Sequence, residues 1–146
     1  MRRNAGKVHW TIWLFGLLLL AFAGISLVPL ISQLTKPAYL RTATEFIVAV
    51  QQNKLSEAEK LLDKEALPEE KRNLKQVVDM ANYRWGRIEK VELIDVVDNP
   101  GELKHPKASE AKRVEFHLQC YLSPGYASVY LVPANGEWKI VDYILQ

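Results

Sequence analysis

The chain has 146 residues, 49% of them hydrophobic and 25% charged, with a formal net charge of +2, which leaves room for one domain of ordinary size plus an appendage and fits neither a disordered nor a fibrous chain. Arg2, Arg3 and Lys7 charge the first seven residues, whereas residues 36–146 carry sixteen Lys and Arg against seventeen Asp and Glu, a net −1. A near-neutral body excludes a nucleic-acid binder, which needs a basic face to displace counterions, and a single long apolar stretch excludes a polytopic transporter.

That stretch comes first. With His9 neutral, no charge lies between Lys7 and Lys36. Residues 10–31, Trp10 to Ile31, would span about 33 Å as a helix, enough to cross a hydrocarbon core of about 30 Å. Trp10 and Trp13 suit the headgroup level. Ala21-Phe22-Ala23 also fits a small-x-small cleavage site, but the apolar run continues through Ile31, so an uncleaved anchor is the expectation. The basic head, residues 1–9, is then expected in the cytoplasm, with a tether at 32–36 and an extracytoplasmic domain at 37–146 on the cell membrane. The lone cysteine, Cys120, leaves no thiol near the span for a lipid anchor and no intrachain disulfide. Its apolar alternation makes it a small buried residue.

Pro37 is suited to start a helix, and Tyr39, Leu40, Ala43, Phe46, Ile47 and Val50 follow at helical spacing. Ser56 and Glu59 read as a capping box opening a short helix with Ala58, Leu61 and Leu62 inward. Pro68 is expected to begin a third helix with Leu74, Val77, Val78 and Ala81 on one side. Its run Glu69, Glu70, Lys71, Arg72 and Lys75 reads as a solvated face. After Gly86 the period becomes that of strands. Residues 87–97 are rich in β-branched side chains, and Asn99-Pro100-Gly101 opens a polar, mobile loop to about Glu110. Residues 113–122 alternate strictly, Ser123-Pro124-Gly125 turns the chain, 126–132 form the next strand, and Asn135-Gly136 signals a tight turn before 137–145. The expectation is an α+β fold, three helices on a curved four-stranded antiparallel meander.

Phe46-Ile47-Val48-Ala49-Val50, followed by Leu55-Ser56-Glu57-Ala58-Glu59-Lys60-Leu61-Leu62, resembles the opening of nuclear-transport-factor-two-like, cystatin-like cone domains. Arg84-Trp85-Gly86-Arg87-Ile88-Glu89-Lys90-Val91-Glu92 is similar to the helix-to-sheet passage of their membrane-anchored and exported members, and Asn135-Gly136-Glu137-Trp138-Lys139-Ile140 to their last hairpin. The resemblance covers residues 38–145. It implies helices packed into the concave face of a sheet, in a superfamily that mixes enzymes with scaffolds, so fold alone assigns no activity.

No metal site, cofactor motif or catalytic constellation emerges. His105 falls in the loop and His117 on the polar side of its strand, where a surface or partner-facing imidazole is expected. Asp95 and Asp142 are each ambiguous between an inward base and a strand-edge or bulge carboxylate. The stronger anomaly is that the last two strands carry apolar residues on both parities, unlike a sheet with one wet face. Either the loop 99–110 covers the second face or a partner does. Tyr121, Tyr130 and Tyr143, with Val141 and Leu145, suit a partner interface. The function expected is a single-pass, non-enzymatic interaction module, an accessory or assembly subunit of a membrane complex or a homo-oligomer. The alternatives are a lipid- or quinone-binding cone with Trp85 and Phe116 in its lining, and an enzyme with Asp95 as base.

Overall fold

The computed structural model describes residues 36–146, so the expected head, membrane span and all of the tether but Lys36 lie outside the described residues. Pro37–Gln146 forms one unit. Among the described residues no helix is long and apolar enough to cross a membrane.

Helix α1 runs Ala38–Gln51, directly after Pro37. Of its predicted stripe, Ala43, Phe46, Ile47 and Val50 are buried and Tyr39 and Leu40 half-buried, Ala49 is buried beside them, and the helix touches all four strands of the sheet. Asn53, at φ 57°, stops the helix in the left-handed region that asparagine tolerates. The Lys54 amide donates to Ala49 O at 2.8 Å and turns the chain into α2, Leu55–Lys60. That early start undoes the expected capping box. Ser56 already lies inside the helix, and the cap residue Lys54 makes no side-chain bond.

Beyond α2 the backbone joins the sheet. Ile140 N donates to Leu61 O at 3.0 Å and Asp63 N to Ile140 O at 2.8 Å, a parallel bridge centred on Leu62. Pro68 then opens only a 3-10 turn, Glu69–Lys71. The third helix, α3, spans Leu74–Trp85 and is capped by Asn73, whose side chain accepts from Gln76 N at 3.2 Å. The single helix expected from Pro68 is thus broken in two. Lys71 is drawn inward, where its carbonyl accepts from the Tyr143 hydroxyl at 2.7 Å and its ammonium pairs with Asp142 at 2.6 Å. Part of the charge run read as solvated is an anchor. On α3, Leu74 and Val78 are buried.

The strands are β1 Ile88–Asp98, β2 Lys112–Cys120, β3 Gly125–Ala134 and β4 Glu137–Leu145. They form one antiparallel sheet in the order β1-β2-β3-β4, so the α+β fold of three helices on a four-stranded antiparallel sheet is as expected. Asn135 and Gly136, at φ 52° and 81°, make the hairpin turn that their sequence signals. Val114, Phe116 and Leu118 of β2 and Ala127, Val129 and Leu131 of β3 face the helices in the main core, with the Phe46 and Tyr143 rings tilted against each other at 5.4 Å between centroids.

A register shift between β3 and β4 at Tyr130/Leu131 resolves much of the two-parity anomaly. A bulge inserts one residue and flips the face of everything after it. Ile140 pairs Leu131 before the shift and Tyr143 pairs Val129 after it, so both lie in the main core although their numbers differ in parity.

Gly86 leaves α3 at φ 80°. A Cβ there would meet Tyr121 Cβ at 3.0 Å and Leu122 N at 3.1 Å. Both the left-handed conformation and the close approach require glycine. Gly86→Ala is expected to lower unfolding stability by about 1–3 kcal/mol, measured by urea denaturation of the full chain in mild detergent. An unchanged midpoint would contradict this packing.

Candidate interaction surface

The space between helices and sheet holds no ligand pocket among the described residues. Phe46, Ile47, Leu74, Phe116, Leu131, Ile140 and Tyr143 fill it. What remains beside Trp85, Cys120 and Leu145 is a void of about 10 Å³, room for no more than one water. Trp85 is half-buried at its rim, and burial pushes the Cys120 thiol up from its ordinary range, with Glu89 adding to it. Phe116 is core. Asp95 is exposed on β1 beside the register shift at Leu93/Asp95 and accepts from Val96 N at 2.7 Å. It pairs Glu115, the neighbour of Phe116 in β2, and therefore stands on the opposite face of the sheet. Trp85, Asp95 and Phe116 do not converge, and the bulge carboxylate is the reading that holds for Asp95.

The second face of the sheet divides in two. On one half, Tyr130, Val132, Val141 and Ala111 are buried together, with Leu103, Ala66 and Ile144 packed against them. Leu103 belongs to the loop after β1. That loop was expected to be polar and mobile, yet it is pinned down: Pro100 is buried, the Tyr130 hydroxyl donates to Glu102 Oε1 at 3.0 Å, and Lys107 Nζ donates to Pro133 O at 2.7 Å. Arg113 also bonds Glu102, and its Nε lies 2.9 Å from Glu115 Oε1 at an angle that makes no hydrogen bond. The Glu102 carboxyl is held below its ordinary range, first by its own backbone amide and then by Arg113. A shallow cleft of about 370 Å³ lies between Leu103, His105 and Tyr130 on one side and Ala66, Val141 and Asp142 on the other. Its acids are paired within the chain, Glu102 with Arg113 and Asp142 with Lys71.

These placements correct three of the five residues expected to face a partner. Tyr143 is 1% exposed in the main core. Tyr130 and Val141 are buried under the chain's own loop. Leu145 is half-buried against the core. Only Tyr121 is exposed.

The other half of the second face is open. His117 Nδ1 stands 3.7 Å from Glu92 Oε2 and its ring 5.3 Å from that of Tyr126. The Glu92 carboxyl is held low by its hydrogen bond to Lys90. At the β2–β3 turn, Tyr121 is 69%, Leu122 64% and Tyr126 50% exposed. Backbone bonds from Tyr121 N to Arg87 O and from Leu122 N to Trp85 O, 3.0 and 2.9 Å, hold this apolar corner against the end of α3. It lies at the end of the unit away from Ala38. α1 begins with Tyr39 against Trp138 at 5.5 Å, beside the β3–β4 turn, and ends with the Gln51 amide on Glu89 O at 2.9 Å. Leu122 and Tyr126 escaped the sequence reading. Leu122 continues the apolar parity of its strand up to Pro124, and only the end of that strand at Cys120 frees it.

No group of three or more His, Cys, Asp or Glu side chains that could hold a metal occurs among the described residues. Comparison with family models, with curated proteins and with solved structures finds no match to this chain.

Burial, with Asp142 and then Glu59 nearby, raises the Tyr143 hydroxyl well above the ordinary tyrosine range. Tyr130 is raised by burial and by its bond to Glu102. A raised acid keeps its proton in the folded state, so its contribution is present below about pH 10 and lost as the pH climbs toward the folded value. Alkaline titration followed at the phenolate absorbance is expected to show these two ionising late, together with unfolding. Tyr143→Phe should flatten the alkaline loss and cost about 1 kcal/mol at neutral pH. Early ionisation of Tyr143 without unfolding would contradict its placement.

Proposed function

We propose that this chain is a membrane-anchored protein-interaction module, an accessory or assembly subunit of a membrane complex, and that it performs no reaction. The observation that carries the reading is the exposed corner Tyr121, Leu122 and Tyr126 on a unit whose interior is full. Exposed tyrosine and leucine at one end of a sheet suit contact with a protein, because a tyrosine buries area while keeping a polar tip. The uncharged residues 10–31 supply the anchor in this reading, with the basic head in the cytoplasm and the domain outside. The tether 32–36 would reach at most about 17 Å, keeping the domain near the bilayer. Within the domain, the Tyr121 corner lies at the end away from Ala38. The likeness to nuclear-transport-factor-two-like domains agrees with a scaffold role. The filled interior counts against a lipid or quinone ligand, and the exposed Asp95 against an active-site base.

The test places a photo-crosslinking amino acid at Leu122 of the full chain in native membranes, with the exposed Glu137, beside the β3–β4 turn at the other end of the sheet, as a control site. A discrete, ultraviolet-dependent protein adduct at 122 and none at 137 is expected. Absence of any adduct at 122, with chain that washes from membranes at alkaline pH, would overturn the reading.

A further inference from the structure

We propose that a second copy of this chain docks along the outer edge of β1, the two β1 strands running antiparallel about a two-fold axis at Val91. This deepens the preceding reading and rests on it, naming a first partner and a surface distinct from the Tyr121 corner.

The two edges of the sheet are not alike. β4 carries the Leu61–Asp63 backbone on its outer side. β1 pairs β2 alone. An open edge presents a row of backbone donors and acceptors to any strand that fits it. One acceptor is already in use: Glu89 O turns away from the ladder and takes the Gln51 side-chain amide. Leu93 and Ile94, midway along the edge, are 50% and 52% exposed.

The side chains select the partner. An isologous antiparallel pair sets residue i of one copy beside residue j of the other, and j beside i. With the axis at Val91, Lys90 stands opposite Glu92 twice, Arg87 opposite Asp95 twice, and Ile88 opposite Ile94 twice. Cross-strand pairs of opposite charge and of apolar residues favour pairing, and like charges oppose it. Moving the axis to Lys90 sets lysine against lysine, and moving it to Glu92 sets glutamate against glutamate with Glu89 against Asp95. An axis at Leu93 sets Lys90 against Val96, Glu92 against Ile94 and Val91 against Asp95, whereas the Val91 axis leaves only Glu89 against Leu93, with Glu89 at the bulge between Ile88 and Lys90. Lys90 and Glu92 already lie side by side, 2.5 Å apart on the same face of β1. The second copy turns that pair into an alternating square of four charges.

The register shifts at Ile88/Lys90 and Leu93/Asp95 leave Lys90–Glu92 as the stretch that is regular in both copies, at the centre of the pairing. Bulges bend an edge away from indefinite pairing. The Leu61–Asp63 backbone bridges the outer side of β4 at Ile140, and an isologous contact uses the β1 edge of both copies at once, so it closes at two copies. So short an interface is weak in dilute solution. Confinement of both copies to one bilayer raises their effective concentration.

The experiment is sedimentation equilibrium of the full chain in density-matched mild detergent, with folding monitored by circular dichroism. Wild type is expected to show a concentration-dependent monomer–dimer equilibrium. Lys90→Glu alone and Glu92→Lys alone should each weaken it at least tenfold while remaining folded, and the double swap Lys90→Glu/Glu92→Lys should recover wild-type affinity. A wild-type monomer at every concentration would overturn the proposal, as would single variants that dimerise like wild type or a folded double swap that does not recover. A monomer that still gives the adduct at Leu122 in membranes would sink this dimer and leave the interaction-module reading standing.

Discussion

Two backbone hydrogen bonds, Ile140 N to Leu61 O and Asp63 N to Ile140 O, determine much of what this domain can do. They lay the segment after α2 along the outer side of β4. From there Leu62 and Leu67 reach the core, and the chain runs on to place Lys71 against Asp142 and the Tyr143 hydroxyl. Removing those contacts would leave Tyr143 with a buried, unpaired hydroxyl, at a cost of about 1–3 kcal/mol, and would open the space it now fills with Phe46.

Two consequences follow from that strap. One is that the interior belongs to the protein's own side chains, and the void that remains is too small for an organic ligand. The other is an asymmetry between the sheet edges: among the described residues β4 is bridged on its outer side at Ile140, whereas β1 pairs β2 alone. With the acids of the second-face cleft paired inside the chain, exposed surfaces stand out: an apolar corner at the β2–β3 turn, the edge of β1, and Met80 and Tyr83 on α3.

The sequence made some of this legible and hid the rest for physical reasons. The α1 stripe, the alternation of β2 and the Asn135-Gly136 turn are local patterns, and the structure follows them. The bulges are not local. Whether an extra residue enters a strand depends on what lies across from it, so Asp95 and Tyr143 were each compatible with either face. The roofing of Tyr130 and Val141 by Leu103 depends on a loop whose polar composition gives no sign that Pro100 and Glu102 would anchor it. The capping box failed for a similar reason: the turn at Asn53 and Lys54 started α2 before Ser56 could cap it. Of the residues expected at the surface, Tyr121 was found because it lies beyond the last residue that packing controls.

Native-state hydrogen exchange of the full chain tests the central claim most directly, at the Asp63 and Ile140 amides that join the strap to β4. The account predicts that both belong to the slowest class and exchange only with global unfolding, at the rate of core amides such as Val129. Rapid exchange at both while β2 and β3 stay protected would show the strap lifting from an intact sheet. The filled interior and the covered β4 edge would then both be lost as foundations.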